Sequence, residues 1–119
     1  MRKNKYEMIW LSFVNVKAKD GIEFNSLIDI EEPTDRKYIG AWANILVKSE
    51  SIPEAIDIIS QGLSELRFEL VFIDKIENFM SLVEAKEVDE MVIKEADWLL
   101  KSDFVFKISD RIFPYDNVK

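Results

Sequence analysis

Carboxylates are the only side chains of this chain that cluster densely enough to suggest site chemistry. Glu31, Glu32 and Asp35 crowd the stretch Glu31-Glu32-Pro33-Thr34-Asp35, and Glu87, Asp89 and Glu90 crowd a second. Oxygen-rich clusters of this kind can hold a hard cation. The plainer reading of the first is a solvated polar loop. The plainer reading of the second is the acidic opening of a helix, where negative charge complements the helix dipole. Glycoside hydrolysis needs two carboxylates held roughly 5–9.5 Å apart, and no pair stands out by spacing.

Other chemistry is closed by the inventory. The chain has no histidine and no cysteine. That removes the usual proton shuttle near neutral pH, the histidine-based triads, two-histidine metal motifs, thiolate ligands and disulfides. Its three glycines, Gly21, Gly40 and Gly62, cannot build a dinucleotide or phosphate loop. No buried lysine suggests itself for a serine–lysine dyad. The expectation is a protein that is not an enzyme, with no catalytic residues, cofactor or metal.

Two kinds of residue remain that could recognise something. Asn15 and Asn44 each interrupt an apolar strand; if those strands pair, the two amides could face each other. Each is a structural hydrogen-bonding group or a polar spot in a cavity. Trp10, Trp42 and Trp98 are many for 119 residues. Tryptophan packs cores and also anchors protein interfaces. Trp42 attracts most interest, because alternation puts it on one strand face with Tyr38 and Asn44.

Those residues need elements to hold them. Tyr6 to Lys17 reads as a central strand covered on both sides: Met8, Trp10, Ser12, Val14 and Val16 face one way, Ile9, Leu11, Phe13 and Asn15 the other. Asp20-Gly21 marks a turn, and a second strand is expected near 26–31, before the polar loop. Tyr38 to Lys48 is a strong strand. Ser51-Ile52-Pro53-Glu54 is a capping box opening a helix that runs to about Leu66. Its apolar stripe is Ala55, Ile59, Leu63 and Leu66, widened by Ile52, Ile56 and Ile58, and Arg67 must either take the exit turn or be absorbed by a looser exit. Phe68 to Ile76 is the next strand, Glu84 to Lys101 a second amphipathic helix, and Phe104 to Ile108 a last short strand. The tail from Ser109 to Lys119 is read as coil.

The order β-β-β-α-β-α-β predicts a single α+β domain spanning 1–119. The simplest assembly is a mostly antiparallel sheet with both helices on one face, ferredoxin-like or related. Nearly half of the residues are hydrophobic (48%), enough apolar material for a core without disulfides or a metal. No stretch approaches the length of a membrane span. Met-Arg-Lys-Asn-Lys resembles a signal-peptide start, but the apolar run after it, Met8 to Val14, is too short and is broken by Ser12. The cytoplasm is the expected compartment.

Charge is distributed unevenly. Arg2, Lys3, Lys5, Lys17 and Lys19 against Glu7 give the first 19 residues a net of +4, so the remainder carries −11 of the chain's net −7. An acidic body disfavours nucleic acid and anionic membrane and favours a basic protein partner. In size, acidity, missing Cys and His, and the strand–capped helix–strand segment from Ala41-Trp42-Ala43-Asn44 through Ile76-Glu77-Asn78, the chain resembles the small acidic immunity proteins that bacteria make against interbacterial toxins. The resemblance implies a non-catalytic protein-binding module that neutralises a basic, nuclease-type toxin domain by blocking its surface. The alternative is a small-molecule-binding or regulatory domain, dimeric through its sheet. Oligomeric state is not legible. Candidate partner-binding residues are Glu31, Glu32 and Asp35 in the loop, Glu87 and Glu90 at the second helix, and Trp42.

Overall fold

Alternating apolar residues make the strands, and backbone irregularities decide which way they face. The computed structural model describes residues 5–28 and 36–116. Four strands form one antiparallel sheet: β1 (Ile9–Ala18), β2 (Tyr38–Lys48), β3 (Phe68–Asn78) and β4 (Phe106–Asp116), in the spatial order β3-β1-β2-β4. The chain is thus α+β with an antiparallel sheet, and Tyr6–Lys17 does supply a central strand. The expected extra strand near 26–31 is not formed where it can be seen. Phe24–Leu27 is a 3₁₀ turn, and 29–31 lie outside the described residues, as do Glu31, Glu32 and Asp35.

Helix α1 (Ile52–Glu65) starts where the capping box places it: Ser51 accepts a hydrogen bond from the Glu54 N–H at 3.3 Å, and Ser49 Oγ accepts the Ser51 N–H. It ends at Leu66, and Arg67 takes the left-handed conformation, φ 72°, that no glycine is present to supply. Ala55, Ile59 and Leu63 are buried, but Leu66, Ile52 and Ile56 are exposed, so the buried stripe is narrower than the sequence pattern. At Gly62 the helix lies so close to β4 that a Cβ would collide with the Phe106 ring.

The helix expected over Glu84 to Lys101 starts later, at Glu90, and an unexpected short helix precedes it. α2 (Phe79–Glu84) is capped by Asn78, which accepts from the Ser81 N–H, and α3 (Glu90–Lys101) by Asp89, which accepts from the Val92 N–H at 3.1 Å. Between them Lys86 has φ 57°. Asp89 sets the later start, because its carboxylate captures the Val92 amide that a continuous helix would use internally.

The helices do not share a face. Val47 and Leu46 are neighbours in β2 and point to opposite sides. Val47 lies in one core with Val14, Val16, Ala55, Ile59 and Leu63, while Leu46 lies in another with Ile9, Phe79, Val92, Ala96 and Leu99. α1 therefore covers one face and α2–α3 the other, and the ferredoxin-like arrangement with both helices on one side is not adopted. Buried Glu95 joins α3 to β4 by accepting from Ser109 Oγ and the Asp110 N–H, each at 2.8 Å. Ser109 to Asp116, expected as coil, thus continues β4 beyond a bulge opposite Asn44.

At the far end of α3, Tyr6 donates a hydrogen bond to Asp97 at 2.7 Å, and Lys5 pairs with the same carboxylate at 3.1 Å. Burial pushes the Tyr6 hydroxyl pKa up, and the hydrogen bond to Asp97 adds to the rise. The Lys5 ammonium is raised by its hydrogen bond to Asp97. Burial pushes Asp97 up, but hydrogen bonds from Tyr6 and Lys5 together hold it below the ordinary carboxylate value.

Candidate functional site

α2 and α3 are too short to roof the whole second face. They cover it over Ile9, Leu11 and Leu46 and leave the rest open. Across the open half the register sets Phe72, Asn15, Trp42 and Phe113 in one row, from β3 to β4. The next row brings Lys75 and Phe13 beside Asn44, and the row on the other side brings Glu69, Lys17, Gly40 and Tyr115.

The aromatics form one connected group. Phe13 stacks on Trp42 with ring centroids 5.2 Å apart and planes 13° apart. Phe72 meets Trp42 edge-on at 5.2 Å, and Phe113 meets Phe13 at 6.4 Å. Phe72 and Phe113 remain 47% and 46% exposed, so the outer rings offer area that the fold leaves unburied. Cross-strand and diagonal neighbours of this kind stabilise each other, which makes the surface preorganised.

Two bulges in β3 create that surface. Val71 and Asp74 have no partner in the register with β1. Strict alternation would put Phe72 on the side of Phe68 and Leu70, under α1. The extra residue at Val71 turns Phe72 outward, and the one at Asp74 does the same for Lys75. In β2 the extra residue is Ile39, which turns Tyr38 away from Trp42 and toward the α1 core.

Asn15 and Asn44 lie on this one face but do not oppose each other: Asn15 pairs with Trp42, and Phe13 with Asn44. Asn15 is buried and accepts a hydrogen bond from the Tyr115 hydroxyl at 2.9 Å. That reach crosses Gly40, where a Cβ would stand 2.5 Å from the Tyr115 oxygen. Glycine at 40 is therefore a requirement of the tyrosine's path. Asn44 lines a hollow of about 290 Å³ beside the aromatic group, together with Phe13, Lys75, Glu77, Glu87 and Asp89.

Trp42 and Glu87 are thus brought to adjoining parts of one surface, linked by Phe13. Glu90 is exposed in the first turn of α3 and does not line the hollow. Trp10 donates its indole N–H to the Ser49 carbonyl and packs against the first core. Trp98 is elsewhere, 49% exposed and stacked on Phe104 at 5.7 Å. Sequence reasoning passed over Phe13, Phe72, Phe113 and Tyr115. Phe13 carried a signal, since it alternates with Asn15 toward the face where polar residues begin. Phe72 carried none, because a bulge decides its side.

The cations on the open half are already engaged: Lys17 with Glu69 at 3.4 Å, Lys75 with Glu77 at 3.4 Å, and Arg111 at its rim with Asp89 at 3.3 Å. Glu87 adds a further exposed carboxylate. Among the described residues no group of three or more acidic side chains is placed to hold a metal ion, and no helix is long and apolar enough to cross a membrane. Comparison with protein-family models, with curated proteins and with solved structures finds no match for the chain.

Proposed function

We propose that the chain is a non-catalytic protein-binding module whose contact surface is the open aromatic half of the sheet. The observation that carries this is the group Phe13, Trp42, Phe72 and Phe113, joined by mutual ring contacts, with Phe13 and Trp42 half-buried and Phe72 and Phe113 exposed at its edges. Exposed, connected aromatics are the anchors that interfaces use. The sheet edges argue for the face as the contact. β3 is interrupted at Val71 and Asp74, and β4 by the bulge opposite Asn44 and by Pro114. Both devices discourage strand addition.

The partner is a basic protein. The chain carries a net −7, and of the carboxylates beside the aromatics Glu77 and Asp89 are paired with Lys75 and Arg111 while Glu87 is exposed. With the cations around them paired, these rings suit a positively charged protein surface better than a phosphate backbone, which needs free Lys and Arg to displace its counterions. A nuclease-type toxin domain, neutralised in the bacterial cytoplasm as by an immunity protein, is the partner class that fits this chemistry.

The test is co-expression with the product of the neighbouring gene, followed by light scattering and binding kinetics. A stable 1:1 complex is expected. A double Trp42→Ala, Phe113→Ala variant should weaken it by about a hundredfold, the scale of losing two central anchors, while near-UV circular dichroism shows the fold retained. Glu87→Lys should slow association a few-fold and flatten its salt dependence. Unchanged affinity in a folded double variant would move the contact off this face.

A further inference from the structure

A second hollow lies on the opposite face, between the sheet, the end of α1, the 3₁₀ turn and β4. It measures about 230 Å³. Ala41 and Ala43, 1% and 2% exposed, form its floor. Its walls include Phe24, Leu63, Phe68 and Ile112.

The floor explains the hollow. On this side of β2 the residues run Ala41, Ala43, Ile45, Val47. Ile45 and Val47 fill the space under α1 with branched side chains. The two alanines leave theirs unfilled, next to the 3₁₀ turn and β4. Close-packed interiors hold few voids larger than a water molecule, and a hollow with apolar walls is a poor place for water, which needs polar partners.

We propose that this hollow binds a small, neutral, apolar molecule the size of two fused rings. A cavity of roughly 150 Å³ with similar lining accepts benzene, so this volume admits about one ring more. Of the polar residues at its border, Ser109 is committed to Glu95 and the Asp110 carboxylate is mostly solvent-exposed, so neither sets a charge within the apolar walls. Ser109 donates to Glu95 at 2.8 Å, and the Asp110 carboxylate pairs with Lys107 at 3.2 Å. An ion entering such walls would lose hydration without compensation. The site is independent of the protein-binding surface, because Ala41, Ala43 and Ile112 face α1, whereas their neighbours Trp42 and Phe113 face the open half.

Indole is the probe, with indole-3-acetate and tryptamine as anionic and cationic counterparts of the same ring. Binding is read by calorimetry and by backbone amide shifts of the whole chain. Indole should bind saturably and each charged counterpart at least about tenfold more weakly, the direction set by unpaired desolvation. Shifts should centre on Ala41, Ala43, Leu63 and Ile112. Ala43→Leu, which fills the floor, should weaken indole binding by about tenfold or more. Three results overturn the proposal: no saturable binding of indole, shifts centred instead on Trp42, Phe72 and Phe113, or unchanged affinity in a folded Ala43→Leu variant. Should that variant not fold, the wild-type shift map and the charge series decide alone.

Discussion

One face of one sheet carries two halves made from the same strands, and they have opposite fates. Ile9, Leu11 and Leu46 lie under α2 and α3, where Phe79, Leu99 and Ala96 are fully buried. Phe13 and Trp42, two residues further along β1 on one side and four back along β2 on the other, have no helix above them. Both halves are apolar, so hydrophobicity does not separate them. The separation comes from helix length and the break at 85–89: twelve residues in α3 and six in α2 span only part of the sheet. Burial stabilises the first half, whereas contact among rings organises the second and leaves its outer area exposed.

The largest effect that tests this contrast is in the covered half. Phe79 is fully buried and meets Tyr6 edge-on at 5.1 Å. Phe79→Ala should cost about 3–5 kcal/mol in a urea unfolding curve, the transfer and cavity cost of a core phenylalanine. A loss below about 1 kcal/mol, ordinary for surface sites, would mean that α2 is not the roof described above.

A smaller effect comes from the Tyr6–Asp97–Lys5 clasp that holds the covered half at its end. Asp97 is lowered in the folded state, so its contribution is present above its unfolded value of 3.8 and is lost as pH falls through the lower folded value. Tyr6 and Lys5 are raised, so theirs are full below 10.0 and 10.5 respectively and are lost as pH rises through the higher folded values. Stability should therefore vary little between about pH 5 and pH 9, fall on either side, and fall less steeply in Tyr6→Phe, which itself should cost about 1 kcal/mol for the lost hydrogen bond. Thermal melts across pH measure this. Identical acid and alkaline limbs in Tyr6→Phe and wild type would show that the clasp does not couple to folding.

The smallest effect on stability belongs to the open half. Phe72→Ala should cost no more than about 1 kcal/mol, one exposed edge-to-face contact, while it weakens partner binding. A cost approaching that of Phe79→Ala would erase the distinction between the halves.

Local chemistry made much of the molecule legible. Ser51-x-x-Glu54 announced α1 to the residue, and of the two exits open at Arg67, a turn position or a looser path, the residue takes the turn. Trp42 was singled out as a candidate anchor, and the structure sets it beside Phe13, Phe72 and Phe113. The start of the second helix was half visible, since Asp89 was read as part of its opening although the helix was begun at Glu84, and α2 was missed because Asn78 was not read as a cap. The strand at Ser109 to Asp116 was missed because Pro114 and the polar run before it look like coil. Glu95, a charge buried on the inner face of α3, supplies the hydrogen bonds that hold its bulge.

By itself the sequence determined the class, the strands built from alternating apolar residues, the caps, the acidity and the lack of histidine and cysteine chemistry. These depend on residues within a few positions of one another, where side-chain type and spacing act directly. Only the tertiary structure decided the strand order, the division of the helices between two faces, and the direction in which Phe72, Lys75 and Tyr38 point. A single extra residue in a strand reverses the side of everything beyond it, and whether a bulge forms depends on the partner strand and the helix above, not on the local pattern.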